Sequence, residues 1–167
     1  MAEPLRIALT VDGERHDVTV EPRETLAEVL RERCGALGVR VGCGEGHCGA
    51  CTVDLDGATA RSCTVLAVQV DGARIRTVED LAAPDGELHP LQQAFVTEHA
   101  LQCGFCTAGM LMTAEELLRE TPGADDDAIR AALSGNLCRC TGYQGILRAV
   151  RRARDEAGTG NDQGEAR

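Results

Sequence analysis

Large aromatic side chains are almost missing from these 167 residues, which contain no tryptophan, one tyrosine (Tyr143) and two phenylalanines (Phe95, Phe105). Aromatics normally supply much of a core's buried area, so the cores here must rest on Leu, Val, Ile and Ala and stay modest. Lysine is absent as well. The seventeen basic residues are all arginine and are outnumbered by 27 acidic ones, for a formal charge of −10. That balance argues against nucleic acid as a partner, because binding it requires neutralising phosphates. No run approaches the roughly 18 apolar residues of a membrane span, so no transmembrane segment is expected. The opening MAEPLRIALTVDG lacks the charged-then-apolar pattern of a secretory leader. The expectation is a cytoplasmic protein with reduced thiols.

Against these absences stands an excess of cysteine, nine in all. A disulfide scaffold is one use for so many, but without a leader it has little support. Eight of the nine fall into two sets of four. Cys43, Cys48 and Cys51 form a C-x4-C-x2-C run that Cys63 completes. This is the ligand spacing of plant-type [2Fe–2S] sites. Cys103 and Cys106 form a C-x2-C pair, closed far downstream by the C-x-C pair Cys138 and Cys140. Two complete sets imply two redox centres, and two centres in line suggest an electron relay. Two units of about 75 residues have small cores and need staples, which the centres would supply.

An anionic thiolate cluster requires backbone N–H donors aimed at its sulfurs, and these also set its potential. The loop from Gly42 to Cys51 suits that need, since its four glycines let the backbone wrap closely. The same loop contains a formal G-x-G-x-x-G at Gly44, Gly46 and Gly49, but it leads into a strand rather than opening a helix. It is therefore no dinucleotide fingerprint. Cys48-x-x-Cys51 and Cys103-x-x-Cys106 match a dithiol redox motif in form only, because each sits inside a four-cysteine set. All-cysteine ligation argues against a Rieske centre. A zinc-binding structural module stays open as the alternative of a different class, with Cys138-x-Cys140 as its poorest fit. The ninth cysteine, Cys34, reads as a small buried hydrophobe. His16, His89 and His99 read as ordinary packing or surface residues, and His47 lies beside the first set.

Two Asp-Gly turns, at Asp12-Gly13 and Asp56-Gly57, predict hairpins joining Leu5–Val11 to His16–Val20 and Thr52–Leu55 to Ala58–Ser62. Thr25 and Glu28 form a capping box ahead of a helix with Leu26, Val29 and Leu30 on its apolar face. Val65–Val70 and Ala73–Val78 read as further strand. From Pro84 the pattern turns helical, with Leu91, Phe95 and Val96 inward on a helix ending near Leu101. Met110, Ala114, Leu117 and Leu118 mark a second helix. Asp125, Asp126 and Asp127 open a third, with Ile129 and Leu133 inward. Ile146, Leu147 and Val150 mark a fourth, whose Arg148, Arg151, Arg152 and Arg154 would complement its C-terminal dipole. The expected domains are 1–80 and 84–155, followed by a disordered tail over 156–167.

Three segments carry a family resemblance: Gly42 to Val53, Gln102 to Thr107 (QCGFCT) and Gly135 to Tyr143 (GNLCRCTGY). With them the chain, from about Leu5 to Ala153, resembles the iron–sulfur subunit of the molybdenum hydroxylases. That family includes xanthine dehydrogenases, aldehyde oxidoreductases and aerobic carbon monoxide dehydrogenases. The resemblance implies an α+β fold, an N-terminal β-grasp plant-type ferredoxin domain followed by a C-terminal four-helix [2Fe–2S] domain. It implies a large subunit carrying molybdopterin, in its cytosine dinucleotide form, and a medium subunit carrying FAD, assembled as a dimer of heterotrimers. Electrons would pass from the molybdopterin site through the cluster of the helical domain, then that of the ferredoxin domain, to FAD. Gln102 and the ligand Cys140 would approach the pterin. Ala108 replaces a proline and Arg40 a lysine that many relatives have, and neither change removes a ligand. A stand-alone two-cluster ferredoxin is the alternative within the same class.

Overall fold

A computed structural model describes residues 3–161, with side chains through Gly158. Strands β1 (Leu5–Val11) and β2 (Glu14–Val20) pair antiparallel, with Leu5 opposite Val20 and Val11 opposite Glu14. Their turn puts both Asp12 (φ 49°) and Gly13 (φ 84°) in the left-handed region, as a tight two-residue hairpin demands. Helix α1 (Leu26–Glu32) carries the capping box complete: Glu28 N–H donates to Thr25 Oγ1, and Thr25 N–H to the Glu28 carboxylate. Seven residues make a marginal helix alone. Its stability comes from Leu26, Ala27, Val29 and Leu30, all buried against the sheet.

Strands β3 (Thr52–Leu55) and β4 (Ala58–Arg61) form the second hairpin, and β5 (Arg74–Arg76) completes a sheet of order β2-β1-β5-β3-β4. The β5 strand runs parallel to β1 and antiparallel to β3, which gives the β-grasp topology. Val65–Val70, expected as strand, is a bridge at Leu66 followed by a 3-10 turn. Its backbone is drawn to α1 instead: Leu26 N–H donates to Val65 O, and Ala67 N–H to Glu24 O. Cys34 lies just past α1 and is half-buried against this core. Burial pushes its thiol pKa up, which keeps it unreactive.

The second unit packs α2 (Pro90–Thr97), α3 (Thr107–Glu120), α4 (Asp126–Leu133) and α5 (Gln144–Asn161) around Phe95, Met110, Met112, Ile129 and Ile146. Helix α2 stops short of Leu101 because the chain turns at His99 (φ 51°), and Val96, expected inward, is exposed. The α5 arginines act in pairing more than on the dipole. Arg148 and Arg152 bridge to Glu98, and Arg151 to Asp126, tying α5 to the α2 end and to α4. Helix α5 continues through Asn161, into the stretch expected to be a tail. Residues 162–167 lie outside the described residues. No helix among the described residues is long and apolar enough to cross a membrane.

His89 has a definite local role: its Nδ1 accepts the Leu91 N–H at 3.2 Å and so caps α2. Burial, with Arg76 nearby, pulls its pKa below the usual histidine value, and Glu115 opposes. A depressed histidine pKa means the unfolded chain binds more protons. The cap's contribution is therefore whole above about pH 6.5 and is lost as pH falls from there through the folded value. The substitution His89→Asn keeps an acceptor but removes the titration, so melting temperature should depend less steeply on pH between 5 and 7. An unchanged slope would locate that pH dependence elsewhere.

Candidate metal centres

The first cysteine set is built on the loop between α1 and β3. Gly44, Gly46 and Gly49 all take positive φ there, so the backbone can curl around its own sulfurs. Cys48 N–H and Glu45 N–H point at Cys43 Sγ, at 3.4 and 3.5 Å. Those amides hold the Cys43 thiol down, to about 6. Cys63 reaches the loop from the 3-10 turn that follows β4 and lies against Cys51. Burial, then the neighbouring Cys51, pushes its thiol up to about 11.

The second set gathers at one end of the helical unit. Cys106 stands at the N-terminal boundary of α3, and Cys138 and Cys140 lie in the turn before α5. Cys103 Sγ and Cys140 Sγ are 3.6 Å apart. That is far beyond the ~2.05 Å of a disulfide and close to the roughly 3.7 Å edge of a tetrahedron with metal–thiolate bonds of about 2.3 Å. Cys106 lies within hydrogen-bonding reach of Cys138, and its thiol is pushed up to about 12 by burial and by that neighbour. Burial also works against an ionised Cys138, but hydrogen bonds from the Thr141 side chain and backbone outweigh it and bring Cys138 down.

All nine cysteines are free thiols. The sulfurs of both sets stand in pairs: Cys43 with Cys48, Cys51 with Cys63, Cys103 with Cys140 and Cys106 with Cys138. Among the described residues no three cysteine, histidine or carboxylate side chains close on a single metal position. Paired sulfurs suit centres of two metal atoms, each iron taking one pair, better than a lone tetrahedral zinc. The neighbouring sulfur helps push one thiol up in three of these pairs, at Cys63, Cys106 and Cys140, a cost that a bound cation removes. The residues present therefore fit [2Fe–2S] clusters.

The two sets are joined by a seam that the motifs did not reveal. Leu137 N–H donates to Cys48 O at 2.9 Å, linking the residue before Cys138 to a cysteine of the first set. Asn136 is buried and donates Nδ2–H to Gly49 O at 3.1 Å, while its Oδ1 accepts from Thr113 Oγ1. Arg61 donates to Gly135 O at 3.0 Å and to Thr52 Oγ1. Glu116 on α3 accepts from the Thr59 backbone and hydroxyl on β4. Arg119 reaches the buried Asp54 at 3.3 Å and Gly57 O at 2.8 Å. Phe105, between Cys103 and Cys106, lies over Gly42 at the edge of the first loop. The only advance signal was Asn136-Leu137 standing just ahead of Cys138. Tyr143 turns its hydroxyl to the Cys138 N–H at 2.8 Å. Gln102, the residue before Cys103, is exposed, as are Cys103 and Cys140.

Comparison with known proteins agrees with this architecture. Residues 9–82 match the 2Fe-2S iron-sulfur cluster binding domain, and residues 77–151 the [2Fe-2S] binding domain. The chain is 53% identical to the nicotine 6-hydroxylase small subunit of Paenarthrobacter nicotinovorans over 96% of each chain. It is 54% identical to the 6-hydroxypseudooxynicotine dehydrogenase complex subunit beta of the same organism, over 87% of this chain and 91% of that one. In structure it is similar to quinoline 2-oxidoreductase from Pseudomonas putida 86, with 46% identity and a TM-score of 0.88 over 99% of this chain and 100% of the matched chain. With two [2Fe–2S] domains in this order and such relatives, the chain belongs to the iron–sulfur electron-transfer subunits of the molybdenum hydroxylases.

Proposed function

We propose that Cys43, Cys48, Cys51 and Cys63 hold one [2Fe–2S] cluster and Cys103, Cys106, Cys138 and Cys140 the other, in units spanning about 1–80 and 84–155. The second set faces a large molybdopterin subunit, with Gln102 and Cys140 beside the pterin, and the first set faces FAD in a medium subunit. The assembly is a dimer of heterotrimers in the cytoplasm. Leu101, Phe105 and Leu137 are exposed around the exposed thiols Cys103 and Cys140. An apolar rim of this kind favours a docked partner over a stand-alone ferredoxin.

The observation that carries the relay is the Leu137 N–H to Cys48 O hydrogen bond. Through it, one ligand of each set is connected by backbone and a single hydrogen bond. Bound clusters supply the one-electron chemistry at each end of that path. The chain's part is to fix the spacing between them, to shield the first set with buried Cys51 and Cys63, and to aim N–H donors at the sulfurs.

The purified subunit should contain four iron atoms and four acid-labile sulfides per chain and absorb visible light. Two iron per chain, or zinc near stoichiometry, would overturn the assignment. Stripping the iron should also unfold much of the chain, because its small cores depend on these staples. Circular dichroism that survives chelation and reduction unchanged would count against that dependence.

A further inference from the structure

Thr141 sits in the turn between Cys140 and α5, and two of its atoms face one sulfur. Its Oγ1 is 3.1 Å from Cys138 Sγ, and its backbone N–H points at the same sulfur at 3.4 Å. The oxygen–sulfur distance alone does not identify the donor, but the surroundings do. Tyr143 N–H donates to Thr141 Oγ1 at 3.2 Å, so the hydroxyl oxygen is already serving as an acceptor there. A thiolate bound to iron has no proton to give. The hydrogen in the contact is therefore the threonine's, and Cys138 Sγ accepts twice from a single residue.

The turn is held from its other side as well. Tyr143 Oη accepts the Cys138 N–H at 2.8 Å, and Tyr143 itself is fixed at φ 67°. Donor and sulfur are thereby pre-positioned. On the first set, Cys43 Sγ receives backbone amides, led by those of Cys48 and Glu45, and the neighbouring Cys48 sulfur, but no hydroxyl. Among the described residues, Cys138 is the one set member whose sulfur meets a hydroxyl.

We infer that Thr141 sets the reduction potential of the second centre: its hydroxyl stabilises the negative charge that Cys138 Sγ gains when one electron arrives. No bond forms or breaks in that step and no proton leaves. The electron comes from the oxidised substrate through the partner subunit, or from dithionite in a titration. Hydrogen bonds to ligand sulfurs are a principal control on such potentials. The inference rests on Cys138 being a ligand. Cys138→Ser tests that separately, through loss of the second centre's EPR signal.

An EPR-monitored redox titration of the assembled complex decides the matter. In Thr141→Val the second centre should become about tenfold harder to reduce, a drop of ~59 mV for one electron, with the first centre unmoved. Thr141→Ser, which restores a hydroxyl, should return close to the native value. Of the exchangeable-proton couplings at the second centre, seen by their loss in D2O, the one from the hydroxyl should be present in the native and serine forms and missing with valine, while that of the residue 141 backbone N–H stays. An unmoved midpoint in Thr141→Val would overturn the inference. So would a serine variant shifted as far as valine, an equal shift of both centres, or loss of the second centre in both Thr141→Val and Thr141→Ala, which would leave a purely structural role.

Discussion

In the assembled enzyme, Cys106→Ser should leave the first cluster oxidised after substrate is added, whereas Cys48→Ser should let substrate reduce the second cluster and stop there. Both follow from the proposed order, with the second set towards molybdopterin and the first towards FAD. Cys106 is the sulfur that burial and Cys138 push up to about 12, so the position favours the charged thiolate only when a cation is bound. Serine offers a harder, far less acidic oxygen at a site that selects soft thiolate ligands. Cys48 is half-buried, and its carbonyl receives the Leu137 N–H at the seam. Its serine variant keeps that backbone contact while losing the ligand. The two centres should differ in EPR signature, one lying in a glycine-rich loop and the other beside the α3 N-terminus. Freeze-quenched spectra of both variants give the order directly. Normal-rate reduction of the remaining cluster in Cys106→Ser would reverse it.

How far the sequence could be read depended on how local the cause was. Asp12-Gly13 and Asp56-Gly57 announced their hairpins because an Asp-Gly pair tolerates positive φ, and both aspartates indeed adopt it. Thr25 and Glu28 announced α1 because both halves of a capping box lie within one turn. Val65–Val70 misled, since β-branched residues read as strand wherever they occur, yet here the backbone bonds to the start of α1. The α5 arginines misled for a similar reason, their partners Glu98 and Asp126 being remote in sequence. Spacing alone sorted the eight cysteines into the sets that the fold brings together. It did not show that Cys103 stands with Cys140 rather than with Cys106. Nor did it show Thr141 at Cys138, or the seam of Arg61, Asn136 and Leu137, because each of these contacts forms only after distant segments have folded.

That seam should fail when a single methyl group is added. Gly109 lies in the first turns of α3, buried, with its Cα facing the first cysteine loop. A Cβ there would sit 3.2 Å from Ala50 Cα and deep inside the van der Waals envelope of Gly49 O. Both neighbours are backbone and have no rotamer to swing away. The Gly49 carbonyl is also held in place, accepting from Thr52 N–H at 3.2 Å, Thr52 Oγ1–H at 2.6 Å and Asn136 Nδ2–H at 3.1 Å. Gly49 has no slack on its other side, where its own Cβ position is 2.5 Å from Gly135 O. The added methyl in Gly109→Ala must therefore push α3 away from the loop. Overpacking of this kind costs about 1–3 kcal/mol, drawn here from the contacts between the units rather than from either core. Each unit keeps its own cluster ligands, so iron content should stay at the native level. The melt should broaden or split as the units lose their mutual support. Transfer from the second cluster to the first should slow, because the Leu137 to Cys48 bridge lengthens and tunnelling falls steeply with distance. A single native-like transition together with native transfer kinetics would show that the loop can yield at Gly49, and that the close approach of α3 is not what holds the two centres in register.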